Sequence, residues 1–471
     1  MNIVPDHREL PPPRAGRPAL LCISQAFAPR TLPTAIRATK LVEHLLADWD
    51  VTVITESEGA AAATPARAEI VAGRRPQRLL AGLRRVHLDK LLELLVWPDE
   101  SIFWVLPAIL AGRRVIRETR PSAIVVFMMP YSSGLAGVVL SRLTGVPLVL
   151  NLDDSPTCTD MHPRFPTRLH HRLARALEDL YAREADAVVY VSARNLETVR
   201  DRQRASTREK FHLVRYGADR RERAHDSPAT ASSAAARERF EIVYVGAMSG
   251  WWALIGEGET ASPLRRLYAA WSRLGSYELI GLDPRTSSPA VIGRAILGAI
   301  AEHRDWAGRV HLTAYGNPYE PSVIARALSA AGIEEVTTVL DPVPHELIGA
   351  IVDDADLLFI TLPMRIDGSP GGRISAKTYE YLATDRPILA AVPRGENWDY
   401  LAGKPGVWLL EPDDAPGMQA VIGELAAEKF AGRPVAFARE ALREQLSYAA
   451  RAAEFADVIR AAIARRRASR S

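Results

Sequence analysis

Residues 355–393 read "ADLLFITLPMRIDGSPGGRISAKTYEYLATDRPILAAVP" and contain the pattern that decides the fold. The apolar run "ADLLFITLP" predicts a buried strand, and a loop with two adjacent glycines follows it. Residues 375–383 then have the character of a helix, and "PILAAV" predicts a second strand. A strand, a helix and a strand in this order predict one unit of a parallel sheet that helices cover.

The same alternation extends over most of the chain on both sides of a polar segment, residues 219–239. The strand-like runs are ALLCIS, VTVIT, AIVVFM, PLVLNL and AVVYVS before that segment, and FEIVYVG, YELIG, RVHLTAYG, VTTVLDPV and GVWLLE after it. We therefore predict an α/β protein with two doubly wound Rossmann-like domains. The predicted domains are residues 1–218 and 240–430, with 219–239 as linker and the C-terminal helices, 431–471, packing back on the first domain.

The composition excludes several classes of protein. The chain has 471 residues, of which 48% are hydrophobic and 24% charged, as expected for a globular protein of about two domains. A net charge of +3 gives no reason to expect nucleic acid as a partner. Two cysteines, Cys22 and Cys158, exclude a disulfide framework and make a reducing compartment the default. We see no secretory signal and no apolar run of roughly 20 residues, so a cytoplasmic location is predicted.

The loop after the strand of residues 355–363 has the features of a phosphate site. Gly371 and Gly372 leave room for close approach to backbone amides, and Arg373 adds positive charge. At Ser375 a helix begins, and the unpaired amides of a first helical turn attract anions. The alternative explanation is an ordinary loop whose glycines serve only the turns.

Lys377 and Glu380 are three residues apart and share one face of the predicted helix. Glu380 could accept hydrogen bonds from two ribose hydroxyls, and Lys377 could hold a phosphate or tether Glu380. The alternative is an exposed ion pair that contributes a few tenths of a kcal/mol. The loop and the helix together predict a phosphorylated ligand, and the rest of the chain favours a nucleotide sugar.

The stretch "SAKTYEYLATDRPILA" resembles the donor site of retaining glycosyltransferases of the GT-B fold, close to family GT4. Other stretches are similar to family segments and occur in the same order. They are "PSAIVVFMMPYSSGLAGVVLSRLTGVPLVLNLDD", "LYAREADAVVYVSARNLETV", "FHLVRYGAD", "FEIVYVGAM" and "VLDPVPHELIGAIVDDADLLFITLP". The resemblance covers most of the chain and implies two domains that face a central cleft, with the acceptor on the first and the donor on the second.

The resemblance also implies roles for individual residues. Glu380 would bind the donor ribose, while Gly371, Gly372 and Ser375 would line the diphosphate. Gly246, after the first strand of the second domain, would lie in the same donor site.

Two further positions follow from the resemblance. Asp153 stands where many relatives have a histidine that contacts the transferred sugar, so Asp153 or Asp154 would orient the sugar or the acceptor hydroxyl, or act as a base. A solvated turn or helix cap is the alternative for this pair. Gly217 and Asp219 would lie at the hinge where the donor cleft closes, with a plain turn as the alternative.

The sequence departs from the family pattern in two places. Relatives commonly carry an Arg and a Lys after the first strand of the second domain, whereas "GAMSGWWALIGEGE" has neither and the nearest bases downstream are Arg265 and Arg266. The usual glutamate eight residues before Glu380 is replaced by Gly372. These absences imply that Arg373 or Lys377 supplies the positive charge.

Residues 73–98, "GRRPQRLLAGLRRVHLDKLLELLVWP", combine arginines with leucines. Such a basic amphipathic stretch could lie on an anionic membrane surface, which would suit a lipid-linked acceptor and a peripheral position at the inner face of the cell membrane. The alternative, which we favour, is a helix whose leucines pack on the first domain.

Taken together, the sequence predicts a hexosyltransferase-like glycosyltransferase with retention of anomeric configuration. The acceptor would be a glycan, such as a cell-envelope polysaccharide, a lipid-linked molecule or a small molecule. No cofactor or metal is required, although a divalent metal is optional. A non-catalytic GT-B-like binding module and a nucleotide-sugar epimerase on the same fold are the alternatives.

Overall fold

The computed structural model describes residues 16–73, 89–158, 164–219, 238–246, 253–255, 263–316 and 319–470, together with positions 82, 85, 160, 248 and 250. The chain forms two compact units. The first contains the residues up to Tyr216, Ala270–Tyr277 and the residues from Tyr448 onward, and the second contains Gly217–Ala269 and Glu278–Ser447. The predicted linker lies outside the described residues except at positions 219, 238 and 239.

A seven-stranded sheet of parallel strands forms the centre of the first unit. The strands of this unit are β1 (Ala19–Ser24), β2 (Asp50–Thr55), β3 (Arg67–Ile70), β4 (Ala123–Phe127), β5 (Leu148–Leu152), the short β6 (Arg164–Phe165), β7 (Ala187–Tyr190) and β8 (Phe211–Leu213). The order β3-β2-β1-β4-β5-β7-β8 reverses direction between β1 and β4, as expected for a doubly wound sheet.

Helices cover both faces of this sheet. They are α1 (Pro33–Leu45), α2 (Ala60–Ala63), α3 (Asp89–Leu95), α4 (Ile102–Thr119), α5 (Ser133–Thr144), α6 (Arg168–Glu184), α7 (Ala193–Asp201), α8 (Ala205–Arg208) and the C-terminal helix Tyr448–Ala468. Alternate residues of β1 point to opposite faces: Cys22 belongs to the core layer that contains Phe455 of the C-terminal helix, and Ile23 to the layer that contains Trp104 of α4. Strands buried on both faces explain the continuous apolar runs in the sequence.

The C-terminal helix belongs to the first unit, whereas residues 431–447 belong to the second. The structure thus divides at Tyr448 the segment 431–471 that the sequence treated as one set of helices. Arg466 holds the helix in place through an ion pair with Asp186, in which Nη2 lies 2.7 Å from Oδ2.

The second unit has a six-stranded parallel sheet in the order β13-β12-β9-β14-β16-β17. Its strands are β9 (Phe240–Val245), β12 (Val310–Tyr315), β13 (Thr337–Leu340), β14 (Leu357–Thr361), β16 (Ile388–Ala391) and β17 (Val407–Leu410). The short strands β11 (Leu282–Asp283) and β15 (Met364–Arg365) lie outside this sheet, as does β10 (Tyr277–Glu278), whose first residue belongs to the first unit. Its helices are α10 (Pro289–Glu302), α11 (Pro321–Ala330), α12 (His345–Asp354), α13 (Ala376–Leu382), α14 (Glu396–Leu401), α15 (Ala415–Phe430) and α16 (Glu440–Leu446), together with the first part of α9 (Pro263–Arg273), whose residues from Ala270 onward belong to the first unit.

One predicted strand of the second sheet is different in the structure. The run "YELIG", residues 277–281, forms only the two-residue β10 and contributes no strand to the six-stranded sheet. Gly281 and Pro284 interrupt the segment soon after it begins, and glycine and proline both weaken strands. The sheet nevertheless keeps the predicted parallel order, because the other runs supply its strands.

None of the helices in the described part of the chain combines the length and the apolar composition that a membrane span requires.

Candidate functional site

Loops from three neighbouring strands meet at one edge of the second sheet. Gly246 follows β9, the residues from Leu362 to Ser375 follow β14, and Gly395 follows β16. The strand order reverses between β9 and β14, and ligands of doubly wound sheets bind at the carboxyl ends of strands at such a reversal. This edge is therefore the candidate site, and it contains the predicted donor residues from Gly371 to Glu380.

Lys377, on α13, lies directly against the end of β9. A Cβ atom added at Gly246 would lie 3.0 Å from Cε and 3.1 Å from Nζ of Lys377. The Nζ atom also lies 4.8 Å from the centre of the Tyr244 ring, a cation–π contact. Within the described residues Lys377 has no carboxylate partner, so its charge is available to an anion.

Tyr381 fixes α13 to the same strand. Its buried hydroxyl accepts a hydrogen bond of 3.0 Å from the Val245 N–H, and burial raises the pKa of the phenol. This bond holds α13, which carries Lys377, against the end of β9. Glu380 is half-buried. The structure thus brings Gly246 and Lys377 together as a pair, which spacing alone could not show.

The side chain of Asn397 is hydrogen-bonded to the start of α13. Its Oδ1 accepts hydrogen bonds from the Ser375 N–H at 3.1 Å and from the Thr378 hydroxyl at 2.8 Å. The backbone amide of Ser375, one of those assigned to a phosphate on sequence grounds, therefore already has a partner. The positive charge that an anion meets at this site therefore comes from side chains more than from the Ser375 amide.

The glycine loop is held by the turn before α14. The Glu396 N–H donates a hydrogen bond of 2.9 Å to the Gly371 carbonyl, and Gly395, at φ +146°, approaches so closely that a Cβ there would lie 2.5 Å from the Gly371 oxygen. Glycine is required at residue 395 for both reasons. Gly372 is buried, and Arg373 is half-buried with no hydrogen bond or ion pair to the described part of the chain.

The predicted catalytic pair follows β5 in the first unit. Asp153 is buried, and its carboxylate accepts hydrogen bonds from Tyr216 Oη at 2.9 Å and Asn151 Nδ2 at 3.1 Å. Its Oδ1 also lies 3.3 Å from Nε of the buried Arg37. Burial raises the pKa of the Asp153 carboxyl, and the Arg37 charge and the two hydrogen bonds only partly offset this.

Arg37 connects this network to the segment just before Gly217. Its guanidinium donates hydrogen bonds to the carbonyls of Val214 and Arg215 at 2.8 and 2.7 Å. Asp154 is less buried than Asp153, and its carbonyl accepts a hydrogen bond of 3.3 Å from the Tyr131 hydroxyl. Gly217 is the first residue of the second unit. Asp153 thus has a structural network around it, whereas Asp154 has more access to solvent.

The comparisons with known proteins agree with this architecture. Residues 34–217 match the model of the glycosyl transferase 4-like domain. Over these residues the chain is similar to the glycosyl transferase 4-like family. No curated protein sequence matches the chain significantly.

Solved glycosyltransferases of the GT-B fold resemble the whole chain. Anabaena HepE, solved with UDP, superposes with a TM-score of 0.59 at 12% identity, covering 94% of this chain and 99% of HepE. The UDP-forming trehalose-phosphate synthase of Burkholderia vietnamiensis gives 0.58 at 14%, covering 95% and 98%, and the sucrose-phosphate synthase of Thermosynechococcus elongatus gives 0.57 at 13%, covering 94% and 98%. At this identity the likeness establishes the fold, and it confirms the predicted pair of Rossmann-like domains.

Sequence reasoning missed several residues that shape both sites of this GT-B protein. Asn397 carried a usable signal, since "RGEN" follows the buried strand "PILAAV" at the same sheet edge as the glycine loop. Tyr244 and Arg37 carried none, because their partners are distant in the chain. Trp251 and Trp252 lie outside the described residues, as do the side chains of Arg265 and Arg266.

Proposed function

We propose that this protein transfers a hexose from a uridine-diphosphate sugar to an acceptor, with retention of anomeric configuration. The glycosyl transferase 4-like family and the GT-B fold support transfer of a glycosyl group. UDP is the favoured nucleotide because HepE is solved with UDP, with UDP and glucose, and with UDP-glucose, and the trehalose-phosphate synthase is UDP-forming. Retention follows from the resemblance to GT4-like enzymes.

The position of Lys377 carries the proposal. Its ammonium group lies at the reversal point of the second sheet, against Gly246, with no carboxylate partner among the described residues. A departing nucleoside diphosphate gains negative charge, and a cation fixed beforehand beside it lowers the barrier. Lys377, with Arg373 near it in the chain, would supply the charge that relatives place after the first strand of this domain.

Glu380 and the Asp154 region complete the proposed roles. Glu380, one turn beyond Lys377 on α13, would accept hydrogen bonds from the ribose hydroxyls. Asp154 would contact the acceptor or the transferred sugar, since it is more accessible than Asp153. A divalent metal is not needed in this scheme, because the lysine and arginine charges neutralise the diphosphate.

We also propose a cytoplasmic location, and the contact of residues 73–98 with a membrane stays a prediction. Within that segment the structure describes α3, where Leu92 is buried as packing on the first domain requires. Leu95, one turn later, is 71% exposed and is available to a membrane surface. Binding to vesicles that contain anionic lipid, measured by co-sedimentation, separates the two explanations.

A donor panel tests the proposed function. Thermal stability is measured with UDP-, GDP- and TDP-sugars, and nucleotide release is then followed with and without candidate acceptors. UDP-sugar stabilisation with UDP release supports the proposal; isomerised sugar without release would establish an epimerase, and stabilisation by no donor would establish a non-catalytic module.

A matched pair of lysine variants locates the donor. Lys377→Met should lose most of the stabilisation by the UDP-sugar. Lys404→Met is the control, because Lys404 Nζ lies 5.6 Å from the Tyr400 ring in a similar cation–π contact of the same unit. Equal donor affinity in both variants would contradict the assignment of Lys377.

A further inference from the structure

The first unit contains a cavity of about 190 Å³ beside the Asp153-Asp154 turn. Its walls come from α3 and the residues after it, from the loops that follow β4 and β5, from β6 and from α6. The apolar lining includes Trp97, Tyr131, Phe165, Ala174, Leu177 and Tyr181. Tyr131 connects the cavity to the turn through its hydrogen bond to the Asp154 carbonyl. Nothing in the proposed donor chemistry uses this cavity.

The carboxylates in the wall are engaged within the protein. Glu178, 1% exposed, accepts hydrogen bonds from Ser155, Thr157, Tyr190 and Arg202. These donors occupy both of its oxygens, and Arg202 balances its charge.

Asp99 is engaged in the same way. Its Oδ1 accepts from the Ser132 hydroxyl at 2.6 Å and the Ser101 N–H at 3.0 Å, and its Oδ2 accepts from the Ser132 N–H at 3.0 Å. A ligand that enters the cavity therefore finds the two carboxylates already hydrogen-bonded.

The histidine and the tyrosine hydroxyls have partners as well. His170 Nε2 donates to the Leu94 carbonyl at 3.2 Å, and its Nδ1 lies 2.8 Å from the Thr167 hydroxyl. The Tyr181 hydroxyl donates to the Tyr131 carbonyl at 2.8 Å. Polar groups of a ligand would lose their water and gain few hydrogen bonds in return, which is costly.

Among the described lining residues, the charged side chains that are exposed to solvent are those of Glu93 and Arg164, while Asp99 is half-buried. The charges of Glu93 and Arg164 are opposite and give the exposed part of the lining no strong preference for an ion. An apolar cavity of about 150 Å³ holds one benzene molecule, so this cavity matches a single six-membered ring with a small substituent.

We propose that this cavity binds an uncharged apolar ring, such as the phenyl ring of an aryl compound. If the proposed glycosyl transfer is correct, the ring is the apolar part of the acceptor, and its polar end lies toward Asp154. That second statement rests on the proposed function, whereas the binding of the ring does not.

Binding of small probes tests the cavity without any donor. Phenol, methyl α-D-glucopyranoside and phenyltrimethylammonium are titrated into the full chain and followed by calorimetry or ligand-observed NMR. We expect phenol to bind saturably in the millimolar range and the other two to bind at least several-fold more weakly. Preferential binding of the glucoside or of the cation would overturn the proposal, as would no binding of phenol.

Two alanines on α6 locate the binding. Ala174 lines the cavity, and Ala176 is exposed on the same helix. Ala174→Leu fills part of the cavity and should weaken phenol binding roughly tenfold or more. The surrounding side chains are already packed and cannot move aside to restore the lost volume. Ala176→Leu should change it less than about twofold, as expected of a surface substitution. Equal binding in the two variants would overturn the location.

A second variant protects the test against misfolding. Leu177→Ala enlarges the cavity and should improve the binding of 2-naphthol relative to phenol, whatever happens to overall stability. An unchanged ratio would count against the cavity as the phenol site. Phenol binding without UDP-sugar turnover would support the cavity proposal and reject the transferase proposal. Turnover without phenol binding would support the transferase proposal and reject the cavity proposal.

Discussion

The ammonium group of Lys377 lies against Gly246, so that a Cβ on residue 246 would be 3.1 Å from Nζ and 3.0 Å from Cε. Gly246 also has φ +110°, a backbone conformation that side chains rarely tolerate. The turn after β9 and the orientation of Lys377 therefore depend on one another. A methyl group at residue 246 would displace the lysine whose charge the proposed chemistry requires.

Gly246→Ala should weaken binding of the UDP-sugar and lower stability, because it strains the turn and pushes Lys377 away. The strain alone should cost roughly 1–2 kcal/mol of unfolding free energy. Calorimetry gives the affinity and urea denaturation gives the stability. The control is Gly308→Ala, with φ +73° and no atom within 4 Å of the added Cβ, which has strain without the lysine contact. A loss of donor affinity in the control as large as in Gly246→Ala would contradict this account.

Glu380→Ala should remove most of the stabilisation by donor and leave the fold intact. At a donor concentration of about 100 times the dissociation constant the native protein gains about 2.7 kcal/mol, and a variant with a roughly 100-fold weaker site gains only about 0.4 kcal/mol. Thermal unfolding with and without UDP-sugar measures both. Glu424→Ala, an exposed glutamate on α15 of the same unit, is the control. Retained donor stabilisation in Glu380→Ala would reject its role at the ribose.

Much of the fold was predictable because apolar runs report burial directly. The predicted strands ALLCIS and VTVIT correspond to β1, Ala19–Ser24, and β2, Asp50–Thr55, in the structure. These segments owe their conformation to local pattern and to burial on the sheet. The prediction of a sheet strand at residues 277–281 was wrong, because the β-favouring residues Tyr277, Leu279 and Ile280 do not show whether a sheet edge is available to them.

The candidate site was less predictable, because its geometry depends on distant partners. The sequence identified the loop and Lys377, since glycines and charges cluster there within a few residues. It could not show that Asn397 accepts a hydrogen bond from the Ser375 amide. Nor could it show that Asp153 contacts Arg37, 116 positions earlier in the chain. Those contacts arise only when loops from separate strands reach the same edge of a sheet.

Asp153→Asn should destabilise the first unit because it leaves the Arg37 charge buried without its partner. The two side chains are 7% and 0% exposed, and removal of one partner from a buried pair typically costs roughly 3–5 kcal/mol. The side-chain NH2 group of the new asparagine would also face Tyr216 and Asn151, which now donate hydrogen bonds to the carboxylate. Urea denaturation measures the loss. Asp154→Asn should lose less than about 1 kcal/mol, and equal losses for the two variants would contradict the buried network.

His311, on β12, should make the second unit sensitive to acid. Burial, with a smaller effect of Arg239, lowers the pKa of His311 to about 4, and its Nε2 contacts the Thr338 hydroxyl at 2.8 Å. An unfolded histidine titrates near pH 6.5, so the unfolded chain binds more protons than the folded chain between pH 6.5 and 4. The contribution of His311 to stability is therefore complete above pH 6.5 and decreases as the pH falls toward 4, by at most about 3 kcal/mol.

Urea denaturation of the native protein and of His311→Gln at pH 7.0 and about pH 4.5 measures this effect. The variant should lose some stability at neutral pH, where the contact to Thr338 is weakened, but should show a smaller decrease between the two pH values. His303→Gln is the control, because His303 is exposed and stacks on Trp306 at 3.9 Å between ring centres. If His311→Gln keeps the full pH dependence of the native protein, then His311 is not the source of the acid sensitivity of this unit.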